Sequence, residues 1–339
     1  MKEFRYSRLL ALGKFPKATL DAIASSKVCV VGAGTLGSGV AHLCVTYGFG
    51  QVSIVDFDAV NIENLGSSPF FSESDCNEKK PKAVALAERL KGLNSEVEVI
   101  PLVVHLDPKN AEETLSGYDL ILDGLDNFRT RFLVNDLAVK NGVPYVYAGV
   151  AGDKAVLMPI LPDGACLRCL IPRPPVAGES PPCSLVGLDP ALALTLASLE
   201  VDTAVRIVGD KDSFVPRLYR LNSDPFEIKA LEMPPKNPDC PCCGKREFSF
   251  LEGVEDMLFS FLCGDDSREV SLAGASIDFA KLEQALTRSG HKVSKNPYFL
   301  RAENSEGIVY TVFPHGKVVM KGSTESSKLT AFITSYLGV

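Results

Sequence analysis

Short apolar runs along the chain alternate with longer stretches whose apolar residues recur at helical spacing. Val28–Val31 is the first run; a small-residue helical stretch follows to about Gly48, and Val52–Asp56 makes a second strand. In Lys80–Leu93 the positions Ala83, Leu86, Ala87 and Leu90 fall on one helical face, and Glu96–Pro101 is strand-like. Leu120–Asp123 predicts a buried strand, Arg129–Gly142 a helix closed by glycine, Tyr145–Ala148 a strand, and Lys154–Leu161 a strand ending in the Pro162-Asp163-Gly164 turn. Strands that alternate with helices in this way predict an α/β fold: a Rossmann-like, doubly wound and mainly parallel sheet.

The pattern breaks at 172–190. Pro172, Pro174, Pro175, Pro181, Pro182 and Pro190 argue against helix and predict an extended or mobile connection. Ala191–Val208 is the next long helix, and residues 234–246, rich in proline and cysteine, predict a knuckle. From about residue 250 the chain starts afresh, with strands at Glu269–Leu272, Tyr298–Glu303, Ile308–Phe313 and Lys317–Lys321 and helices over Asp278–Ser289 and Ser326–Leu337. Pro314-His315-Gly316 predicts a hairpin turn. The expected division is a large domain over 1–250, carrying the knuckle, and a small α+β domain over 251–339.

Composition narrows the function classes. Of 339 residues 46% are hydrophobic and 23% charged, an ordinary globular mixture. A formal net charge of −7 argues against nucleic acid as a general partner. No apolar run approaches the roughly 20 residues of a membrane helix. The opening Met-Lys-Glu-Phe-Arg-Tyr-Ser-Arg is charged and has no apolar core behind it, so the expectation is a cytoplasmic protein.

Gly32-Ala33-Gly34-Thr35-Leu36-Gly37 links the first strand to the helix. In such a loop Gly32 permits the tight turn, Gly34 lets the backbone approach a phosphate, and Gly37 allows close helix–strand packing. The helix N-terminus favours an anion, and Asp56, ending the second strand, can accept from ribose hydroxyls. The motif predicts an adenine nucleotide, NAD or ATP. Lys82 suits a triphosphate or a solvated helix surface, and Asp126 suits Mg²⁺ or a helix cap; together with Asp58 and Asn64 they tilt the reading to ATP.

Of ten cysteines, Cys166 and Cys169, with Cys240 and Cys243, form two Cys-x-x-Cys pairs with the spacing of a structural Zn²⁺ site. Cys242 could replace a neighbour. Cys183 stands alone in the proline-rich connection, a nucleophile or an incidental thiol. Cys29 and Cys44 fall at core positions.

Arg5-Tyr6-Ser7-Arg8-Leu9, the glycine loop, Asp56-Phe57-Asp58, Asn64-Leu65, Pro81-Lys82-Ala83, Asp123-Gly124-Leu125-Asp126-Asn127 and the cysteine pairs together resemble the ThiF/MoeB/HesA family, relatives of the ubiquitin-activating enzymes. The resemblance covers about residues 4–246. The tail, with Leu262-Cys263-Gly264, Asn296-Pro297-Tyr298, Phe313-Pro314-His315-Gly316 and Lys321-Gly322, resembles the longer ThiF-like thiazole-pathway adenylyltransferases. The resemblance implies an ATP- and Mg²⁺-dependent adenylyltransferase that activates the Gly-Gly terminus of a ubiquitin-like sulfur carrier, with a sulfur-donor enzyme as a further partner. It also implies a homodimer in which Arg8 reaches the partner's ATP. Lys82 and Asn64 would hold phosphates, Asp126 the Mg²⁺ and Asp56 the ribose, while Cys183 would take up the activated carrier. One departure stands out: where the family reads Asn-Leu-Gln-Arg-Gln, this chain reads Asn64-Leu65-Gly66-Ser67-Ser68. That leaves a slower enzyme, one using Lys79 or Lys80 instead, or a non-catalytic docking member of the family. A third class, an NAD-dependent oxidoreductase, lacks an accompanying His or Tyr–Lys arrangement.

Overall fold

The computed structural model describes residues 2–13, 16–174, 187–210, 213–253, 267–272, 277–314, 316–323 and 325–337. These gather into two compact units. The first holds the described residues up to Cys76 and from Pro81 to Gly253; the second holds Asn77–Lys80 and the described residues from Ser267 to Leu337.

The first unit is built on an eight-stranded sheet. Its strands are β1 (Lys27–Val31), β2 (Gln51–Val55), β3 (Glu98–Leu102), β4 (Leu120–Asp123), β5 (Tyr145–Ala151), β6 (Lys154–Ile160), β7 (Leu218–Ser223) and β8 (Phe226–Leu231), in the order β3-β2-β1-β4-β5-β6-β7-β8. Pairs from β3 through β5 are parallel, and those from β5 through β8 are antiparallel. The central strands β1 and β4 are buried on both faces, which is why they read as unbroken apolar runs rather than alternations. Helices of nine residues or more flank the sheet: α1 (Lys17–Ser25), α2 (Thr35–Tyr47), α3 (Lys82–Lys91), α4 (Phe128–Asn141) and α5 (Pro190–Gly209).

Register sets up the site. Val31 lies opposite Val55 of β2 and Asp123 of β4, so three strands end level and the chain leaves them at one edge through Gly32, Asp56 and Gly124. The chain turns in opposite directions on the two sides of β1, and that crevice is where open α/β sheets bind ligands.

Several elements differ from the sequence reading. Pro190 does not belong to a non-helical connection; it opens α5, where a missing N–H costs no helical bond, and Asp189 caps the turn by accepting from Ala191 N at 2.9 Å. β7 and β8, and the helical segments Lys2–Arg5, Ser7–Ala11 and Lys17–Ser25, had no signal in the periodicity.

The second unit has a five-stranded antiparallel sheet, β9 (Ser267–Ser271), β10 (Lys292–Lys295), β11 (Leu300–Glu303), β12 (Val309–Val312) and β13 (Lys317–Lys321), ordered β10-β11-β12-β13-β9. Leu282 and Leu286 of α6 (Phe279–Arg288) and Phe332 and Ile333 of α7 (Ser326–Tyr336) form a core with Leu300, Tyr310, Val312, Val318 and Met320. β12 and β13 are joined as the expected hairpin, with Phe313 N donating to Lys317 O at 2.8 Å; His315 itself lies outside the described residues, as does Cys263. Among the described residues no helix is long and apolar enough to cross a membrane.

Candidate functional site

The glycine loop has the tight construction its sequence asked for. Gly32 has φ +97°, and a Cβ there would lie 2.3 Å from Gly124 O. At Gly37 a Cβ would meet Gly32 O at 2.0 Å. Gly34 differs: nothing in the protein lies within 4 Å of a Cβ built on it. Packing therefore dictates Gly32 and Gly37, whereas Gly34 faces open space at the N-terminus of α2. Among the described residues no side chain caps that helix end, so its backbone donors and partial positive charge suit an anion.

Asp56 shapes this loop as well as facing it. Its Oδ2 accepts from Ala33 N at 2.8 Å and its Oδ1 from Asp58 N at 2.7 Å. Burial pushes its carboxyl above the usual range, against the opposing pull of Lys82. Lys82 opens α3 beside it; its backbone N donates to Asp58 O at 2.8 Å and its Nζ lies 3.4 Å from Asp58 Oδ2. Burial works against the Lys82 charge, but the carboxylates of Asp58, Asp56 and Asp126 outweigh it and hold the ammonium protonated above its ordinary range. One cation is thus surrounded by three acids, and Asp126, the exposed one, stands at the rim. A phosphate chain with its metal would suit this set, since an ammonium can meet phosphate oxygens and a carboxylate a divalent cation.

Asn64 spends its Oδ1 on Asn61 N at 2.9 Å in a reciprocal capping box, which leaves its amide nitrogen without a partner among the described residues. Ser67 Oγ turns back to Glu63 O at 3.4 Å, and buried Ser68 bonds Ser38 Oγ at 2.9 Å, tying this loop to α2. Arg8 is exposed on Ser7–Ala11 and has no bond to the other candidate residues. Cys183 lies outside the described residues.

Sequence reasoning missed the support beneath the site. Arg131, on α4 and buried, donates through Nε to Asp123 Oδ2 at 3.1 Å and through Nη2 to Leu125 O at 2.5 Å and Ala148 O at 2.9 Å. Tyr145 donates its hydroxyl to Asp123 Oδ2 at 2.5 Å, and Asp123 N donates to Glu200 Oε1 of α5 at 2.7 Å. Burial, then the Asp123 charge, pushes the Glu200 carboxyl well above its usual range. One signal existed: Glu200 is a single acid inside the apolar stretch Leu192–Val201. Asn127, Arg131 and Asn135 follow one stripe of α4 at i, i+4 and i+8, the first capping the helix by accepting from Thr130 N at 2.9 Å.

At the far end of that stripe lie the cysteines. The Sγ atoms of Cys166, Cys169, Cys240 and Cys243 all fall within 4.8 Å of one another, with 3.6 Å between Cys166 and Cys240 and 3.4 Å between Cys169 and Cys243. A tetrahedron of thiolates at ~2.3 Å from Zn²⁺ has edges of about 3.8 Å, so the four fit that ion. Cys242 stands outside the quartet, which answers its ambiguous position in the sequence. Its buried Sγ accepts from Asn135 Nδ2 at 3.3 Å, and its thiol supports Cys166, whose own thiol is held down to about 4 chiefly by that hydrogen bond. Asn135 Oδ1 also accepts from Leu167 N at 2.8 Å. Cys29 and Cys44 are fully buried core residues, as expected.

The sequence matches the ThiF family over residues 6–242. The chain belongs to the ThiF family. Among its curated relatives in and around that family is the sulfur carrier protein ThiS adenylyltransferase of Bacillus subtilis, 29% identical over 98% of this chain and 99% of that one. The SAMP-activating enzyme E1 of Haloferax volcanii is 32% identical, covering 74% of this chain and 92% of its own. The sulfur carrier protein adenylyltransferase of Thermus thermophilus is 35% identical over 71% and 90%. Among solved structures, E. coli MccB with ATP superposes with TM-score 0.61 at 24% identity, covering 71% of this chain and 74% of that chain, a likeness of fold.

The ThiF-family match ends near the cysteine knuckle, so the part of the second unit from Ser267 onward lies beyond it. The B. subtilis relative spans both units.

Proposed function

We propose that this protein is an ATP-dependent adenylyltransferase that activates the C-terminal carboxylate of a ubiquitin-like sulfur carrier ending in Gly-Gly. The observation that carries the reading is the Lys82 ammonium set among Asp56, Asp58 and Asp126 beside a glycine loop whose middle glycine faces open space. The match to the B. subtilis protein over nearly the whole of both chains supports a ThiS-type carrier, used for the thiazole of thiamine, over a molybdopterin-type one.

In this reading the backbone at Gly32, Gly34 and Gly37 lies along the phosphates, and Asp56 accepts from the ribose. Lys82 leaves Asp58 to meet phosphate oxygens, Asn64 donates its spare amide nitrogen to them, and Asp126 takes the Mg²⁺ that accompanies ATP. The carrier's carboxylate oxygen attacks the α-phosphorus; the bond to the β-phosphate oxygen breaks, pyrophosphate departs with that electron pair, and an acyl-adenylate remains. No proton needs to move in that step, so the residues act by fixed charge. Zn²⁺ in the four-cysteine site is structural, since a closed thiolate tetrahedron leaves no open position. Arg8 acts on the nucleotide of a second copy in a homodimer, Cys183 takes up the activated carrier for sulfur transfer from a donor enzyme, and the setting is the cytoplasm.

The test is ATP–pyrophosphate exchange with each Gly-Gly-ending small protein of the same genome. Exchange that requires one such carrier supports the reading. No exchange with any of them removes it, and leaves a nucleotide-binding docking protein.

A further inference from the structure

We infer that Arg131 is a positioning residue for this site: it fixes the turn Gly124–Asp126 in the shape that presents Asp126 beside Lys82. This rests on the reading in which Asp126 meets the Mg²⁺ of ATP.

Arg131 lies one turn into α4 with its guanidinium aimed back under the end of β4. Its bonds go to Asp123, the last residue of β4, to the carbonyl of Leu125, and to the carbonyl of Ala148 on the neighbouring strand β5. Leu125 immediately precedes Asp126, so the carbonyl that Arg131 grips sets the peptide plane leading into it. The rest of the turn is pinned from other sides. Leu125 N donates to Asp123 Oδ1 at 2.8 Å, and Gly124 N donates to Val31 O at 2.7 Å. A Cβ on Gly124 would lie 2.5 Å from Gly32 O, so the same turn is wedged against the glycine loop. Glu200 and Tyr145 hold Asp123 from below. Among the described residues, Arg131 is the side chain that joins the strand end, the carbonyl before Asp126 and the adjacent strand. That needs a planar fork with several donors and a charge that never titrates, which lysine does not supply.

Arg131→Lys keeps a cation beside Asp123 but cannot reach all three acceptors. Its thermal stabilisation by ATP is measured across a Mg²⁺ series, alongside KM and kcat for pyrophosphate exchange. Removing the partner that orients a metal ligand typically weakens metal affinity 10–100-fold. The Mg²⁺ concentration giving half-maximal stabilisation should therefore rise about tenfold or more, and KM for ATP with it, while excess Mg²⁺ restores much of the lost rate. A residue that only supports folding would lower the melting temperature without moving the Mg²⁺ midpoint. If Arg131→Lys does not fold, Asp123→Asn with Arg131→Met removes both charges, leaves none unpaired, and should show the same Mg²⁺ shift. A parent-like Mg²⁺ midpoint in the folded variant overturns the role of Arg131 and leaves the adenylation reading intact. A parent that neither gains stability from MgATP nor exchanges pyrophosphate overturns both.

Discussion

The two polar sites of the first unit use α4 in opposite ways. At its N-terminal end Asp126 is exposed and Lys82 is caged among acids, so charge is kept together but reachable. Toward its other end Asn135 faces a thiol cluster in which Cys166, Cys240 and Cys243 are buried, as is Cys242 beside them. An open site can exchange its occupant; a closed one must be filled once and kept. In the proposed reading, burial of the ligating atoms, more than their chemistry, separates the substrate site from the structural one.

The comparison breaks most severely if the closed site proves dispensable. Structural zinc contributes ~10–16 kcal/mol of apparent binding energy in finger peptides. Cys166→Ala or Cys240→Ala should therefore abolish tight zinc retention and lower unfolding free energy by several kcal/mol. Elemental analysis and denaturant unfolding check this, with one zinc per parent chain expected.

The open site should respond in rate rather than in folding. Lys82→Ala and Asp126→Ala should each reduce carrier-dependent pyrophosphate exchange by about 10²–10³, the effect of losing one transition-state charge partner. Stabilisation by MgATP should fall with it. Equal MgATP stabilisation in both variants and the parent would move the site elsewhere.

Ser67 sharpens the same boundary in the opposite direction. Ser67→Arg adds a donor on the loop that carries Asn64, and exchange should rise, at most by the ~10² to 10³ that such a donor contributes. An unchanged rate would mean that another base already serves the phosphates.

The smallest expected effect is at Glu200. Its raised folded pKa means that its contribution is full below the unfolded value, near 4.5, and is lost as pH rises through the folded one. Glu200→Gln removes that titration, so the stability of the variant relative to the parent should rise as pH climbs above about 4.5. Thermal unfolding of both proteins from about pH 4 to 8 reads the difference, and a difference that stays constant with pH would remove this role of Glu200.

The elements legible in the sequence are those whose residues lie inside. β1, β4 and α5 announce themselves as apolar runs because neighbours cover both faces or one long stripe. β8 could not, since nearly every residue from Phe226 to Leu231 is exposed and no burial pattern is imposed on it. Gly32 and Gly37 were legible because packing leaves no room for a Cβ there, and the cysteine pairs because of their spacing. Asp56 was read as a ribose acceptor, yet its bond from Ala33 N depends on where the glycine loop returns in space. Arg131 was invisible for a related reason: it sits among Arg129, Thr130 and Asn135, and only the packing of α4 on β5 turns it inward. The grouping of Asn77–Lys80 with the second unit likewise has no local signature.

The stripe Asn127–Arg131–Asn135 also sets a rule for chain length. Eight residues of helix rise about 12 Å, and each residue turns the axis by about 100°. Inserting one residue between Asn127 and Asn135 would swing Asn135 away from Leu167 and Cys242, or Arg131 away from Leu125, and no side-chain change could bring both back. The coil between β8 and Cys240 carries no such phase, because a loop absorbs added residues at little entropic cost. Insertions should be tolerated in that coil and refused within this one helix, so α4 works as a gauge block that holds two otherwise independent chemistries in step.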